Sequence, residues 1–129
     1  MNHAQNQQTF QNNSAQQGRP IGFKSLGDVE VFSKQLFQAM DDLTHVIEAE
    51  TDLVRAGQLV RAMALQSEKS HHAETYISLV ERAKNQGAAI SRLSPVLSGK
   101  LARAQETFKA TLQINMAALA SAREVSQGL

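Results

Sequence analysis

The sequence has no cysteine and no tryptophan, and aromatic residues make up only 5% of it. Without cysteine the chain can form no disulfide, offers no thiol nucleophile and has no thiolate ligand for zinc or an iron–sulfur cluster. An intracellular, reducing compartment is compatible with that absence. Because apolar residues still account for 42% of the chain, the composition favours helices packed through alanine and leucine over a sandwich or barrel rich in aromatic side chains.

Two further absences narrow the classes of function. No apolar run approaches the roughly 20 residues that cross a bilayer, and the N-terminus lacks the basic and apolar regions of a secretory signal, so none is expected. The formal net charge is only +1, and the basic residues are not interleaved with aromatic ones. A nucleic-acid-binding surface is therefore not expected.

The acidic side chains are concentrated in one part of the chain. Residues 28–56 carry seven acidic side chains against two basic ones, whereas residues 57–93 and 94–129 are each mildly basic. An acidic helix beside two mildly basic ones suits mutual packing, although exposed ion pairs contribute only about 0–1 kcal/mol each. The length of 129 residues allows one domain.

The N-terminal segment is polar. Ten of the first seventeen residues are Asn or Gln, and the only large apolar residues up to residue 24 are Phe10, Ile21 and Phe23. Such a segment buries too little apolar surface to offset the entropy lost on ordering. We predict a disordered Asn/Gln-rich tail over residues 1–24 and a helical domain over residues 25–129.

The first helix is predicted over about residues 26–56. Ser25 followed by Asp28 resembles a capping box, with Asp in place of the usual Glu. Apolar residues then recur at spacings of three and four, as on the buried stripe of a coiled-coil-like helix: Val29, Phe32, Leu36, Met40, Leu43, Ile47 and Val54. Gly57 stands where a C′ glycine ends a helix, so we expect the tip of a helical hairpin there.

Glu50 is an acidic residue inside this apolar stripe. If the chain folds back at Gly57, Glu50 faces Lys69 on a second helix, predicted over about residues 58–93. Burying an unpaired carboxylate would be costly, so we predict a structural ion pair, Glu50–Lys69, that fixes the register of the hairpin. The other residues of the second helix's inward stripe are Ala62, Leu65, Ala73, Tyr76, Val80, Ala83, Gly87 and Ile90.

The third helix is predicted over about residues 95–126, because Ser94 followed by Pro95 is typical of a helix start. Its expected inward stripe is Leu97, Leu101, Phe108, Leu112, Asn115, Met116, Leu119 and Ala122. The segment 110–125 is nearly apolar all round, which is typical of a helix buried on more than one side. This favours a bound partner, although alanine is also a good helix former that can lie exposed.

The predicted fold is therefore all-α. It is a three-helix antiparallel coiled-coil-like bundle, in which a long helical hairpin is joined by a third helix. Two carboxylate–histidine pairs have the spacing of a di-iron bundle, namely Asp42/His45 and Glu68/His71. The helical wheel places both histidines on outward faces, so neither a metal nor any other cofactor is expected. No nucleotide-binding or nucleophile motif is present, and we predict no catalytic residues.

The segment around the hairpin tip resembles the FlgN family of flagellar type III export chaperones. The resemblance rests on a leucine-periodic helix, on Glu50 seven residues before Gly57, and on Lys69 twelve residues after it. Leu43, Val46-Ile47-Glu48-Ala49-Glu50, Leu53, Gln58-Leu59, Leu65, Glu68, Tyr76 and Leu79 also take part. The family has an Asn near the middle of its third helix, which would be Asn115, and the resemblance covers roughly residues 30–125.

This resemblance implies a cytoplasmic chaperone without enzymatic activity. Its partners would be the C-terminal helices of hook–filament junction proteins of the FlgK and FlgL type, kept unassembled and delivered to the export apparatus. An amphipathic client segment would lie against the third helix. The expected partner-binding residues are Phe108, Leu112, Ile114, Asn115, Met116, Leu119, Ala122 and Val125. Of these, Phe108 and Leu112 are expected to be shared between the core and the partner.

Two other functions remain open from the sequence. Residues 113–129 also resemble phasins, which coat polyester granules with amphipathic helices, although that resemblance does not explain Glu50 and Lys69. The chain could also be a homo-oligomeric coiled-coil adaptor, for example a homodimer in which the third helix packs against a second copy of itself.

Overall fold

The computed structural model describes residues 22–128, and in this range every regular element is a helix. Residues 22–128 form five helices: α1 (Leu26–Arg55), α2 (Leu59–Met63), α3 (Gln66–Asn85), α4 (Gly87–Leu93) and α5 (Pro95–Gly128). The chain runs up α1, returns through α2, α3 and α4, and runs up again along α5. The prediction of an all-α bundle is confirmed. No helix of residues 22–128 combines the length and the hydropathy needed to cross a bilayer.

Helix α1 is the central element of the bundle, because it contacts each of the other four helices. Ser25 caps it, since the Ser25 side chain accepts a hydrogen bond from the Asp28 backbone and Asp28 accepts one in return. All the stripe residues predicted for this helix, Glu50 included, are buried. The regular spacing of apolar residues thus positions α1 between α3 on one side and α5 on the other.

The hairpin tip lies at Gly57, as the sequence predicts. Gly57 has a φ of +75°, a conformation in which a Cβ atom meets the neighbouring backbone. The Gly57 amide donates to the Val54 carbonyl at 3.0 Å, and the Gln58 amide donates to the Leu53 carbonyl at 2.8 Å. These two bonds satisfy carbonyls that the end of α1 would otherwise leave open.

Replacing Gly57 with alanine is expected to lower the free energy of unfolding by about 1 kcal/mol, because alanine is strained at positive φ. Gly87→Ala is the matched control. Gly87 does not have a positive φ, and an added Cβ atom there would meet no other atom within 4 Å, so this change should leave stability equal or slightly higher. Urea denaturation of both variants measures the difference. Equal midpoints would contradict the role given to Gly57.

The prediction of one continuous second helix is wrong. It is divided into α2, α3 and α4 by breaks at residues 64–65 and at Gln86. At the first break the Leu65 amide bonds the Ala62 carbonyl at 3.1 Å, a tightened i→i−3 turn. At the second break the Gln86 side chain accepts from the Phe23 amide at 3.4 Å, next to the helix-weakening Gly87. The residues predicted for its inward stripe nevertheless face inward, since none of them is exposed.

The third predicted helix is present as α5. It begins at Pro95, and Ser94 caps it by accepting a hydrogen bond from the Leu97 amide at 3.2 Å. Its end at Gly128 lies two residues beyond the predicted end. Because α5 runs parallel to α1, with Asn115 beside Ile47 and Thr51, its last turns extend beyond the end of α1 at Arg55.

The packed part of the chain begins before residue 25, which corrects the predicted boundary at residue 24. Phe23 is only 6% exposed, and its ring lies 5.0 Å from that of Phe32. The Arg82 guanidinium lies over both rings, at 4.9 and 5.1 Å from their centres. Aromatic burial and cation–π contact thus fix this short segment. The rest of the predicted tail, residues 1–21, lies outside the described residues.

Candidate partner-binding groove and buried polar cluster

The half of the bundle nearest the hairpin tip contains a buried polar cluster. Its centre is Glu50, which is only 1% exposed. Lys69 Nζ lies 2.7 Å from Glu50 Oε1, so the predicted ion pair is present. The Gln66 side-chain amide donates to the other oxygen, Glu50 Oε2. Helices α1 and α3 are thus joined by a charged pair across the hairpin, which fixes the register of one helix against the other.

Asn115 joins the third long helix to the same cluster. Its Nδ2 atom donates to Glu50 Oε1 at 2.9 Å and to Thr51 Oγ1 at 3.0 Å, and lies 3.4 Å from the Ile47 carbonyl oxygen. The Thr51 hydroxyl in turn donates to that carbonyl at 2.9 Å. Asn115 therefore links α5 to α1 by hydrogen bonds. This is the position that the FlgN resemblance singles out.

The environment of Glu50 favours its ionised form. Burial alone would raise the pKa of the carboxyl, but the hydrogen bonds from Lys69, Asn115 and Gln66 outweigh it, so the pKa is lowered below its usual value. A lowered pKa in the folded state contributes stability at pH values above the pKa of the unfolded chain. That contribution is lost as the pH falls through the folded-state value.

The polar cluster holds three helices together and has no evident reactive group. The donors around Glu50 are engaged with its carboxylate, and no cavity described below is lined by Glu50, Lys69 or Asn115. Residues 22–128 also contain no group of three or more metal-ligating side chains. His45 and His71 are exposed, on the outward faces that the helical wheel predicts.

The eight predicted partner-binding residues do not form one surface. Phe108 and Asn115 are buried, so their assignment as partner contacts is wrong. The Phe108 ring packs at 4.8 Å from that of Tyr76, and Asn115 belongs to the polar cluster. Three residues are partly buried between α5 and its neighbours, and three are exposed. The partly buried ones are Leu112, Leu119 and Ala122, and the exposed ones are Ile114, Met116 and Val125.

The exposed three lie on two different sides of α5. Successive residues of a helix are rotated by about 100°, so Ile114 and Met116 point about 160° apart. Met116 was predicted to lie on the inward stripe, and this is wrong because its neighbour Asn115 takes the inward direction, leaving Met116 65% exposed. Ile114 and Val125, at 49% and 65% exposed, lie on the opposite flank.

Ile114 and Val125 border a groove between α1 and α5, which we call the α1/α5 groove. Two cavities form it. The first, of 180 Å³, is lined by Glu48, Thr51, Asp52, Arg55, Thr111 and Ile114. The second, of 530 Å³, is lined by Val54, Arg55, Gly57, Leu59, Ala117, Ala118, Ser121, Ala122, Val125 and Ser126. Arg55 lines both, so the two cavities adjoin at this residue and together reach from the middle of the bundle to the hairpin tip.

Sequence reasoning missed the α1 side of this groove, formed by Glu48, Asp52 and Arg55. One signal could have found it. The sequence of α5 has a second stripe with alternating spacings of three and four, beside the core-facing one: Thr111, Ile114, Ala118, Ser121 and Val125. The core-facing stripe of α5 is covered by the bundle, whereas this second stripe borders the groove.

The fold and the groove together define an all-α bundle with an open helix-lined groove. No family model matches the chain, and comparison with curated proteins and with solved structures finds no match either.

Proposed function

We propose that this protein is a cytoplasmic export chaperone of the FlgN type. Its clients would be the C-terminal helical segments of hook–filament junction proteins of the FlgK and FlgL type. The α1/α5 groove binds such a segment, keeps the client from assembling and holds it for delivery to the export apparatus. The observation that carries the proposal is this open groove, which has Ile114 and Val125 exposed along its edge.

The physical basis is helix-in-groove recognition. The lining of the larger cavity is mostly small residues, three of them alanine, with Val54, Leu59 and Val125 as its larger apolar side chains. Small residues let a client helix approach α5 closely, and the larger ones supply apolar area. Burial of that area drives binding at about 25 cal/mol per Å², less the free energy needed to order the client.

The resemblance to the chaperone family supports the proposal mainly through residues that do not line the groove. Glu50, Lys69 and Asn115 carry the resemblance and lie in one hydrogen-bonded cluster. Gly57, which also carries it, lines the groove at the hairpin tip. This cluster sets the position of α5 against α1, and so sets the width of the groove. Binding and scaffold are thus assigned to different residues of the same helices.

The test is a titration of the full chain with fluorescently labelled C-terminal segments of hook–filament junction proteins, followed by anisotropy. We expect Ile114→Asp to weaken binding by at least about tenfold, because a buried isoleucine contributes about 1.5–3 kcal/mol and an aspartate there must lose water. Met116→Asp is the matched control, since Met116 lies on the other side of α5.

Three outcomes would contradict the proposal. They are no binding of either segment at micromolar concentration, an Ile114→Asp variant that binds as well as the wild type, and equal losses in both variants. Circular dichroism of each variant checks that the helices remain folded.

A further inference from the structure

The α1/α5 groove has the size and the lining that fit one helix. Its α5 wall, from Thr111 to Ser126, is about 22 Å long, which corresponds to about four helical turns. The stripe on that wall, made of apolar and small polar residues, repeats at spacings of three and four, as does the buried stripe of α1. A strand or an irregular segment would not match this repeat.

The α1 wall adds charges to this stripe. Glu48 and Asp52 line the smaller cavity, and Arg55 follows one turn further toward the hairpin tip. All three are exposed, and among residues 22–128 none of them forms an ion pair, the only ion pairs there being Glu50–Lys69 and Glu106–Lys109. The edge of the groove therefore presents two negative charges and then one positive charge in a fixed order.

A second copy of α5 would not complement these charges. If a copy docked through the same stripe, the residues flanking the stripe on its free side would be Ala110, Ala117 and Glu124. None of them is basic, and Glu124 is of the same sign as Glu48 and Asp52. Charge complementarity thus points to a different chain as the occupant.

We propose that the groove selects an amphipathic helix with a defined charge order along one edge. Its apolar seam covers Ile114, Ala118 and Val125. Its edge places Lys or Arg beside Glu48 and Asp52 and an acidic residue beside Arg55. The proposal shares its site with the proposed function but does not depend on the client's being a flagellar protein.

The helix dipole gives the occupant a direction. Acidic residues are favoured near the N-terminus of a helix and basic ones near its C-terminus. An occupant with its acidic end beside Arg55 therefore begins at the hairpin tip and runs antiparallel to α1 and α5. In this orientation its dipole also opposes those of the two helices that form the groove.

The experiment uses two designed helical peptides of about 18 residues with the same leucine seam. One has two lysines toward its C-terminus and one glutamate near its N-terminus on the flanking edge, and the other has these signs exchanged. With the wild-type chain at about 50 mM salt, we expect the complementary peptide to bind about tenfold tighter, and this preference to shrink at about 1 M salt.

The double variant Glu48→Lys/Asp52→Lys is expected to reverse the preference between the two peptides. Glu30→Lys/Glu81→Lys makes the same change in net charge at exposed positions outside the groove, and it should keep the wild-type preference. Equal affinities for the two peptides, no binding of either, or an unchanged preference in the groove variant would overturn the proposal. A chain that light scattering shows to dimerise through Ile114 would also overturn it.

These results separate the inference from the proposed function. If the junction-protein segments fail to bind while the designed peptides show the expected preference, the flagellar assignment is lost and the charge order stands. If the segments bind to the groove and Glu48→Lys/Asp52→Lys leaves their affinity unchanged, the proposal of a charge order is contradicted and the chaperone proposal stands.

Discussion

Replacing Lys69 with methionine is expected to lower the free energy of unfolding by about 3 kcal/mol near neutral pH, since breaking a buried pair leaves a charge uncompensated. Glu50 is almost completely buried, and its only charged partner among the described residues is Lys69. The two amides that remain, from Gln66 and Asn115, offset part of the cost of burying the carboxylate. Methionine keeps most of the apolar stem, so the loss reports the ion pair.

The pH dependence distinguishes this cause from lost packing. In the wild type the ionised Glu50, with its lowered pKa, contributes stability above the unfolded-state value of about 4.3. In Lys69→Met the pKa rises, because burial is then opposed by fewer hydrogen bonds. Glu50 of the variant takes up a proton as the pH falls, so the stability difference between variant and wild type should narrow below about pH 5.

Urea denaturation of both proteins across this pH range measures the effect. Lys84→Met is the matched control, because Lys84 lies exposed on the same helix, α3, and it should change stability by less than about 0.5 kcal/mol. A Lys69→Met loss that stays constant with pH would assign the effect to packing and not to the charge.

Replacing Phe32 with alanine is expected to cost about 3–5 kcal/mol, the range for a buried phenylalanine. Phe32 is among the fully buried side chains, and it contacts the Phe23 ring and the Arg82 guanidinium. Removing it leaves a cavity and takes away the surface against which Phe23 packs. A loss of this size is a large part of the about 5–15 kcal/mol that stabilises a typical domain.

Thermal unfolding and urea denaturation check the size of the effect. Val31→Ala is the control from the adjacent position, where the side chain is mostly exposed, and it should change stability by no more than about 0.5 kcal/mol. We also expect faster amide hydrogen exchange at Phe23 in Phe32→Ala. If exchange at Phe23 is unchanged, the segment before α1 is held by the Gln86 side chain and not by the aromatic contact.

The sequence was sufficient to predict α1, its cap, its tip and its partners. Most apolar residues of α1 that face the core follow one stripe over about seven turns, and a spacing repeated this often predicts the helix and its buried face despite single exceptions. Glu50 and Lys69 could be paired because both interrupt such stripes, and a chain that folds back near Gly57 brings them opposite each other. The position of the turn at Gly57 and the residue spacings of the two stripes were thus sufficient to predict a contact between residues 19 positions apart.

The same method failed where the outcome depends on contacts between elements. The break at Gln86 involves the Phe23 amide, 63 residues away, and no local pattern reports that bond. The assignment of Phe108 and Asn115 to a partner failed because apolar and amide side chains look alike in a sequence whether they face the core or a client. Burial by α1 and α3 decides between the two, and burial is known only once the helices are packed.

Glu48, Asp52 and Arg55 show a second limit of prediction from the sequence. Exposed charges on a helix are common, so nothing in their spacing distinguishes them from ordinary solvated residues. They gain meaning only because α5 lies beside them and leaves a depression along which they are aligned. The candidate site is thus a property of two helices together, and neither sequence alone specifies it.

The central position of α1 has a consequence for the order in which the chain is synthesised. Helix α1 leaves the ribosome before the other four described helices, yet the residues that cover its apolar stripe on the α5 side belong to the last of these four, with Leu101, Phe108 and Asn115. During translation this stripe is covered only by α3 and is open on the other side. A nascent chain halted before residue 101 would thus present an unfilled coiled-coil seam to the cell, and this bundle is complete only when α5 has emerged.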